Sequence, residues 1–455
     1  METTNRGAWN SKLGFVLAAA GSAIGLGNIW RFPTEAAANG GAAFLLIYLL
    51  CCLIIGFPVM VAELSIGRGS KKNPVGAFRA LSSNKFFPFV GFWGVLTGAM
   101  VLSFYSVIAG WTFSHVFVEL FKYLGMSGAA ALFSDVSNGL INAIFATLFM
   151  AVTIAILRGG VSEGIERATK TMMPLLLLIL IIMTAFSLFQ AGAAEGLRVY
   201  LMPDFSKITG GLVLAAMGQA FFSLSLGMGA LITYGSYLSK KENLPEVAGY
   251  VTIADVGIAF LAGLLVIPTM YVAQAQGVQI FGDEGELLAG TALIFQVLPE
   301  LFSTIGGLLG LVFGASFFFL LSLAALTSSI SLLEVPVSYA IDEHNIPRKT
   351  ATLGIGGAIL VISLIISFYL GLIDTIDFIF SVIGLPLGGL LICVFVAYVW
   401  KTDNAIEEMS EGFKGINTSF FTPVWKILIK FVCPALIFVI LMMNLWETLQ
   451  GWFGS

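Results

Sequence analysis

Charge is scarce in this chain. Only 11% of its 455 residues are Asp, Glu, Lys or Arg, against about 25% in a soluble domain, which excludes an ordinary water-exposed fold. Cysteine and histidine are scarcer still. Cys51, Cys52, Cys393 and Cys433 all lie inside apolar runs and read as small buried hydrophobes. His115 and His344 are far apart and share no ligand spacing, so a zinc enzyme is excluded. No basic patch interleaved with aromatics is present, which removes nucleic acid as a partner. The first apolar run is too long for a signal peptide and lacks a small-residue cleavage pattern. What is abundant is apolar: 58% hydrophobic residues, with 39 Phe and 51 Gly. That composition predicts an all-α polytopic membrane protein, with Phe facing lipid and Gly at helix contacts.

Apolar runs fall at 13–38, 42–67, 88–121, 138–157, 172–191, 210–238, 247–275, 301–340, 351–371, 376–400 and 424–449. These eleven candidate spans are each near or above the roughly 20 residues that cross the hydrocarbon. Placing residues 1–12 in the cytoplasm collects 18 of the 22 Lys and Arg on the inner side. Only Lys122, Arg198 and Lys207 fall outside, and Arg31 lies within a span. The positive-inside rule therefore predicts a cytoplasmic N-terminus and an extracellular C-terminus.

Polar and flexible residues interrupt these runs where a helix should be continuous. In Gly21–Pro33, GSAIGLGNIWRFP, three glycines loosen the backbone, while Asn28 and Arg31 put polar atoms at membrane depth. An arginine at a helix centre costs about 2.5–3.5 kcal/mol on insertion scales unless it finds a partner. A helix broken there, its freed carbonyls and amides facing a ligand, accounts for the pattern; a glycine-faced packing seam is the alternative. GQAFFSLSLGMG, Gly218–Gly229, repeats the anomaly in the sixth span, with Ser223 and Ser225 among glycines. Two interrupted helices five spans apart predict inverted repeats, 13–191 against 210–400, followed by a last span at 424–449.

Other residues are read in that setting. Asp255, inside the seventh span, is an intramembrane carboxylate and so a functional-site candidate. Glu63 reads as part of a buried network beside the broken helix, and Glu334, close to Pro336, as structural. Ala324, Thr327, Ser328 and Ser329 form a hydroxyl-rich helical face, whose hydroxyls either reach a ligand or bond back to their own helix. The stretch between Gly164 and Pro174 is either a hinge or an amphipathic lead-in to the fifth span. Asp374 and Asp377 open the tenth span on the side of Arg31, where a closable ion pair could form.

With those residues in hand, the chain resembles the neurotransmitter:sodium symporters over nearly its whole length. The resemblance rests on GSAIGLGNIWRFP, FFSLSLGMGALITYGSY, LAALTSSIS and the Gly164-to-Pro174 spacing. It is closest to bacterial eleven-helix transporters of hydrophobic amino acids, and it implies the LeuT fold. It further implies sodium-coupled symport by alternating access at the cell membrane, with no organic cofactor and no enzyme activity, the protein a monomer or weak dimer. One sodium would be held by Ala23, Asn28, Ser223 and Asp255 with the substrate carboxylate. A second would lie among Gly21, Ile24, Ala324, Thr327 and Ser328. The substrate would meet Ala23, Leu26, Gly27, Tyr105, Phe222, Ser223 and Ser225, with Val101, Phe222, Met228, Ser328 and Leu332 around its side chain. Tyr105 and Phe222 would form a lid, Arg31 and Asp377 the outer gate, and Arg6, Trp9, Ser236, Tyr237 and Asp342 the inner gate. Gly164 and Pro174 would mark a hinge.

Gly25 stands where amine-transporting relatives carry an aspartate, so the expected substrate brings its own carboxylate and is an α-amino acid. Unbranched Met228 points to several apolar side chains, aromatic ones included. Asp255 stands where many relatives have asparagine, and Tyr48, Gln219 and Ser223 resemble parts of a chloride site. A carboxylate already there predicts chloride independence. Three rivals are a proton-coupled transporter on the same scaffold, a channel or sensor, and an intramembrane enzyme built on Asp255 and Glu63. The pair Thr327 and Ser328 argues for a second sodium, and no filter ring, signalling domain or nucleophile–base pair accompanies the others.

Overall fold

The structure is a computed structural model that describes residues 7–281, 290 and 293–453. Among these residues the chain is helical throughout, and the boundaries follow from local chemistry. Ser11 caps helix α1 (Lys12–Ala23) by accepting from the Gly14 amide at 3.0 Å. The helix stops at Ile24, whose backbone is extended (φ −76°, ψ 102°). Helix α2 (Gly27–Ala38) resumes at 55° to it. Then come α3 (Ala42–Ser70), α4 (Phe87–Tyr123), α5 (Gly139–Leu157) and α6 (Val161–Leu188).

The second interruption follows. Thr209 caps α7 (Gly210–Ser223), and six residues separate α7 from α8 (Ala230–Ser236). Between them Ser225, Gly227 and Gly229 all have positive φ (53°, 85° and 77°). Glycine suits that region because it has no Cβ to clash. At Gly227 a Cβ would also strike the Leu385 carbonyl. The remaining helices are α9 (Leu244–Ala275), α10 (Gly307–His344), α11 (Arg348–Phe368), α12 (Gly371–Val399) and α13 (Phe421–Trp446).

Among the described residues, nine unbroken helices are long and apolar enough to cross a membrane, and α1–α2 is a bent tenth crossing. Helices α3, α4, α9, α10 and α12 bury 56–67% of their apolar windows and form the centre. Helices α5, α6, α11 and α13 bury 28–39% and present residues such as Leu178, Val361 and Phe438 outward. In water such a surface would aggregate; against lipid it is matched.

Two boundaries differ from the sequence reading. The fifth helix begins at Val161 rather than 172, running through Gly164 and Pro174 with its first turn in a wide π form (Val161–Glu166). The eighth begins at Gly307 rather than 301, because Gly306 (φ 67°) separates it from a short helix, Leu298–Ile305.

Candidate functional site

The two interruptions meet at a buried polar cluster. Asp255, from the middle of α9, is fully buried. Its Oδ1 accepts from Asn28 Nδ2 of α2 at 2.7 Å and from Ser223 Oγ, the last residue of α7, at 3.0 Å. Its Oδ2 accepts from Ser223 Oγ at 2.8 Å and from Tyr48 Oη of α3 at 3.3 Å. The Asn28 Oδ1 in turn accepts from the Gly25 amide, freed by the break in the first helix, at 3.1 Å. A carboxylate out of water is tolerable only with such a shell. Ala23, grouped by the sequence with this set and with the substrate site, lines the neighbouring chamber. Gln219 supports the break from the side, donating to the Gly27 carbonyl at 2.7 Å.

A second oxygen group lies where α10 passes the end of α1. Thr327 Oγ1 is 3.2 Å from the Ile24 carbonyl and 2.9 Å from that of Ala324. Ser328 Oγ is 3.2 Å from the Ser22 carbonyl and 3.4 Å from that of Ile24. Gly21 leaves room: a Cβ there would be 3.3 Å from Thr327 Cβ and from Met173 Sδ. The hydroxyl-rich face therefore divides. Ser329 bonds back to its own helix at Ala325 (2.9 Å), while Thr327 and Ser328 reach across to freed carbonyls of the broken one.

Between these groups is a small chamber lined by Ala23, Gly25, Gly27, Val101, Tyr105, Phe222, Ser225, Met228, Ser328 and Leu332. Its backbone-rich side is set by the breaks; Val101, Met228 and Leu332 make the other side apolar. Tyr105 Oη accepts from the Leu26 amide at 3.0 Å, and Ser225 Oγ donates to the Ser22 carbonyl at 3.0 Å. Gly25 is a wall residue absent from the sequence-derived set. A Cβ on it would strike Ser328 Oγ and lie 2.8 Å from Tyr105 Oη. Leu26 lines the space above and Ser223 belongs to the Asp255 cluster, so neither side chain faces the chamber.

Above the chamber opens a larger vestibule, sharing Gly27, Tyr105 and Phe222 with it. The Phe222 ring lies between the two spaces, against Gly27 and under the Arg31 guanidinium at 4.7 Å. Arg31 and Asp377 both line the vestibule, but the expected pair is not formed: Arg31 Nε is 3.8 Å from Glu35 Oε1. With the vestibule open, a partner one turn along the same helix costs less ordering than one across a cavity. Trp30, Ile108 and Trp111 complete the walls. Apolar side chains in apolar helices carry no sequence signal that separates them from packing residues.

The opposite, amino-terminal face is closed. Arg6, assigned to it by the sequence, lies outside the described residues. Trp9 Nε1 donates to the Tyr234 carbonyl at 3.1 Å and packs edge-on to Tyr237. Ser236 bonds within its own helix, to the Thr233 carbonyl at 2.6 Å. Tyr237 donates to Glu334 at 2.6 Å, and Glu334 is bridged to Arg348 at 2.5 Å. Glu334 is thus part of this closure, which the sequence reading did not foresee. Asp342 accepts from the Asn73 amide at 2.8 Å. Glu63, fully buried, accepts from the Gly227 amide at 2.7 Å and tethers the second break. Gly164 packs so closely on Gly159 and the Ile156 carbonyl that a Cβ would not fit.

Broken helices, a chamber under a vestibule and buried oxygen clusters on either side define a membrane transporter of small solutes. The pattern of the sodium:neurotransmitter symporter family matches residues 6–134 and 130–452, and the chain belongs to that family. It is a sodium-dependent secondary transporter with the LeuT fold, not an enzyme. It is 35% identical to the uncharacterized sodium-dependent transporter YhdH of Bacillus subtilis, over 95% of this chain and 96% of that one. The rat sodium-dependent neutral amino acid transporter B(0)AT2 is 29% identical over 57% of this chain and 40% of its own. The crystal structure of MhsT in complex with L-phenylalanine matches with a TM-score of 0.85 and 39% identity, over 96% of this chain and all of that one.

Proposed function

We propose that the protein imports hydrophobic L-amino acids, aromatic ones included, coupled to two sodium ions and independently of chloride. The observation that carries this reading is the buried Asp255 cluster beside a chamber that is backbone-polar at one end and apolar at the other. Carboxylate, amide, hydroxyl and carbonyl oxygens are the donors a hard cation takes, and unwound backbone supplies the carbonyls. The first sodium is assigned to Ala23, Asn28, Ser223 and Asp255 with the substrate carboxylate. The second is assigned to Gly21, Ile24, Ala324, Thr327 and Ser328, where each hydroxyl would turn its proton away and present a lone pair.

An amino acid fits the asymmetry. Its ammonium faces the carbonyls of the breaks, and its carboxylate faces Tyr105 Oη and the amides at the start of α2, where helix dipole and free N–H groups favour negative charge. Its side chain lies against Val101, Met228 and Leu332. If that carboxylate completes a sodium shell, each ligand raises the other's affinity by the same factor. Relatives add support: MhsT was crystallised with L-phenylalanine, and B(0)AT2 is named for neutral amino acids. Asp255 supplies the negative charge that would otherwise call for chloride.

In this reading the open vestibule faces outside and the closed face the cytoplasm, in keeping with the Lys and Arg distribution. The repeats 13–191 and 210–400 rock about the fixed site, with Arg31 and Asp377 closing the vestibule. The deciding experiment is binding of radiolabelled L-amino acids to purified protein with and without sodium. Saturable binding of apolar and aromatic amino acids only in sodium is expected. Equal binding in potassium, or uptake driven by a pH gradient without sodium, rejects the reading.

A further inference from the structure

We propose that Glu166 is the latch that keeps the cytoplasmic face shut, a positioning residue that holds the start of α1 against α6. The proposal rests on the alternating-access reading and on the orientation given above. Four consecutive residues at the head of α1 reach three different helices. Trp9 bonds to the Tyr234 carbonyl of α8 at 3.1 Å. The Asn10 amide donates to Glu166 Oε2 at 2.8 Å, and Ser11 Oγ to Glu166 Oε1 at 3.0 Å. Lys12 Nζ meets Glu246 Oε1 of α9 at 2.7 Å.

These ties are unequal. Lys12 and Glu246 are 39% and 38% exposed, and a solvated pair of that kind contributes little. Glu166 is 1% exposed and receives a third bond, from Lys170 Nζ at 2.7 Å. Hydrogen bonds to a buried carboxylate are about twice as strong as neutral ones. If α1 lifts, Glu166 loses the Asn10 and Ser11 donors and keeps only Lys170. Gly14 is shaped to this contact, since a Cβ there would occupy the space of the Glu166 carboxylate.

The latch also sits at the mouth of a route. Further along α6, Thr169 and Met173 face Gly21, 3.5 Å and 3.3 Å from where its Cβ would lie, beside Thr327. The stretch of α6 from Glu166 to Met173 therefore walls the second oxygen group off from the amino-terminal face. Releasing Glu166 frees that wall at the end where its helix begins in a π turn.

The test is a Thr169→Cys reporter in the full chain, reconstituted in vesicles and labelled from the cytoplasmic side with a membrane-impermeant maleimide. Thr169 and the native cysteines are buried, so the reference should react slowly. Glu166→Gln and Gly14→Ala should each speed labelling about tenfold or more, the change expected for loss of a hydrogen bond to a charged group. Glu246→Gln should change it by no more than about threefold. Labelling of Glu166→Gln at the reference rate, or of Glu246→Gln as fast as Glu166→Gln, overturns the proposal. If Glu166→Gln does not fold, Gly14→Ala decides alone, because it adds one methyl group and leaves every charge in place; an unchanged rate there rejects the latch. Sodium-dependent amino-acid binding by the unmutated protein is scored separately, so failure of the functional reading and failure of the latch are distinct results.

Discussion

In the proposed function cation binding turns on Asp255, whose carboxylate is buried and shared among Asn28, Ser223 and Tyr48. Asp255→Asn and Asn28→Ala should each raise the sodium concentration for half-saturation and the amino-acid Kd together. Linkage requires the two to move in step, by about 5–150-fold for a coupling of 1–3 kcal/mol. Isotope binding over a sodium titration checks this, and an unchanged sodium dependence removes both residues from the site. Gly25 makes the second prediction. Gly25→Ala should weaken amino-acid binding at least about tenfold, because the methyl group would strike Ser328 Oγ and crowd Tyr105 Oη. Size-exclusion elution should stay normal, since the surroundings are a cavity rather than packed core. Residue types at these positions were legible in the sequence, for an acid or amide at membrane depth needs a reason. That Gln219 donates to the Gly27 carbonyl, and that Ser223 serves the Asp255 cluster rather than the chamber, depends on which way each helix is turned.

The interrupted helices were legible too, since glycine and serine in the middle of an apolar run weaken a helix without offering anything to pack. Their lengths were less so. Nothing local in the sequence shows that α6 continues through Gly164 and Pro174, because the contact that excludes a side chain at Gly164 comes from Gly159 and Ile156. A third prediction separates glycines that shape the break from glycines that do not. Gly227→Ala forces a residue with a Cβ to φ 85° against the Leu385 carbonyl, a strain of about 1–3 kcal/mol from the backbone alone. It should lower the unfolding midpoint and abolish uptake. Gly218→Ala, on the same span but in regular helix with no atom within 4 Å of the new Cβ, should do neither. A fluorescence-detected thermal melt of both variants gives the comparison.

On the proposed reading, with Asp255 as the fixed negative charge beside the cation, the protein should work unchanged when chloride is replaced by gluconate; collapse of uptake would contradict that role. In intact cells an impermeant maleimide should label a cysteine placed at Lys207 and spare one at Lys241, as the positive-inside orientation requires. The apolar runs determine that this chain crosses a membrane repeatedly, and the placement of Lys and Arg gives the proposed sense. They can do so because transfer into lipid is summed residue by residue and needs no knowledge of neighbours. The breaks were equally open to reading, as local departures from what a lipid-embedded helix tolerates. Tertiary structure alone decided that Arg31 rests on Phe222 and Glu35 rather than Asp377, and that Glu334 with Arg348, and Glu166 with the head of α1, close the other face. Each of those contacts joins residues according to the rotation and tilt of their helices, which leaves no periodicity in a sequence by which to find them.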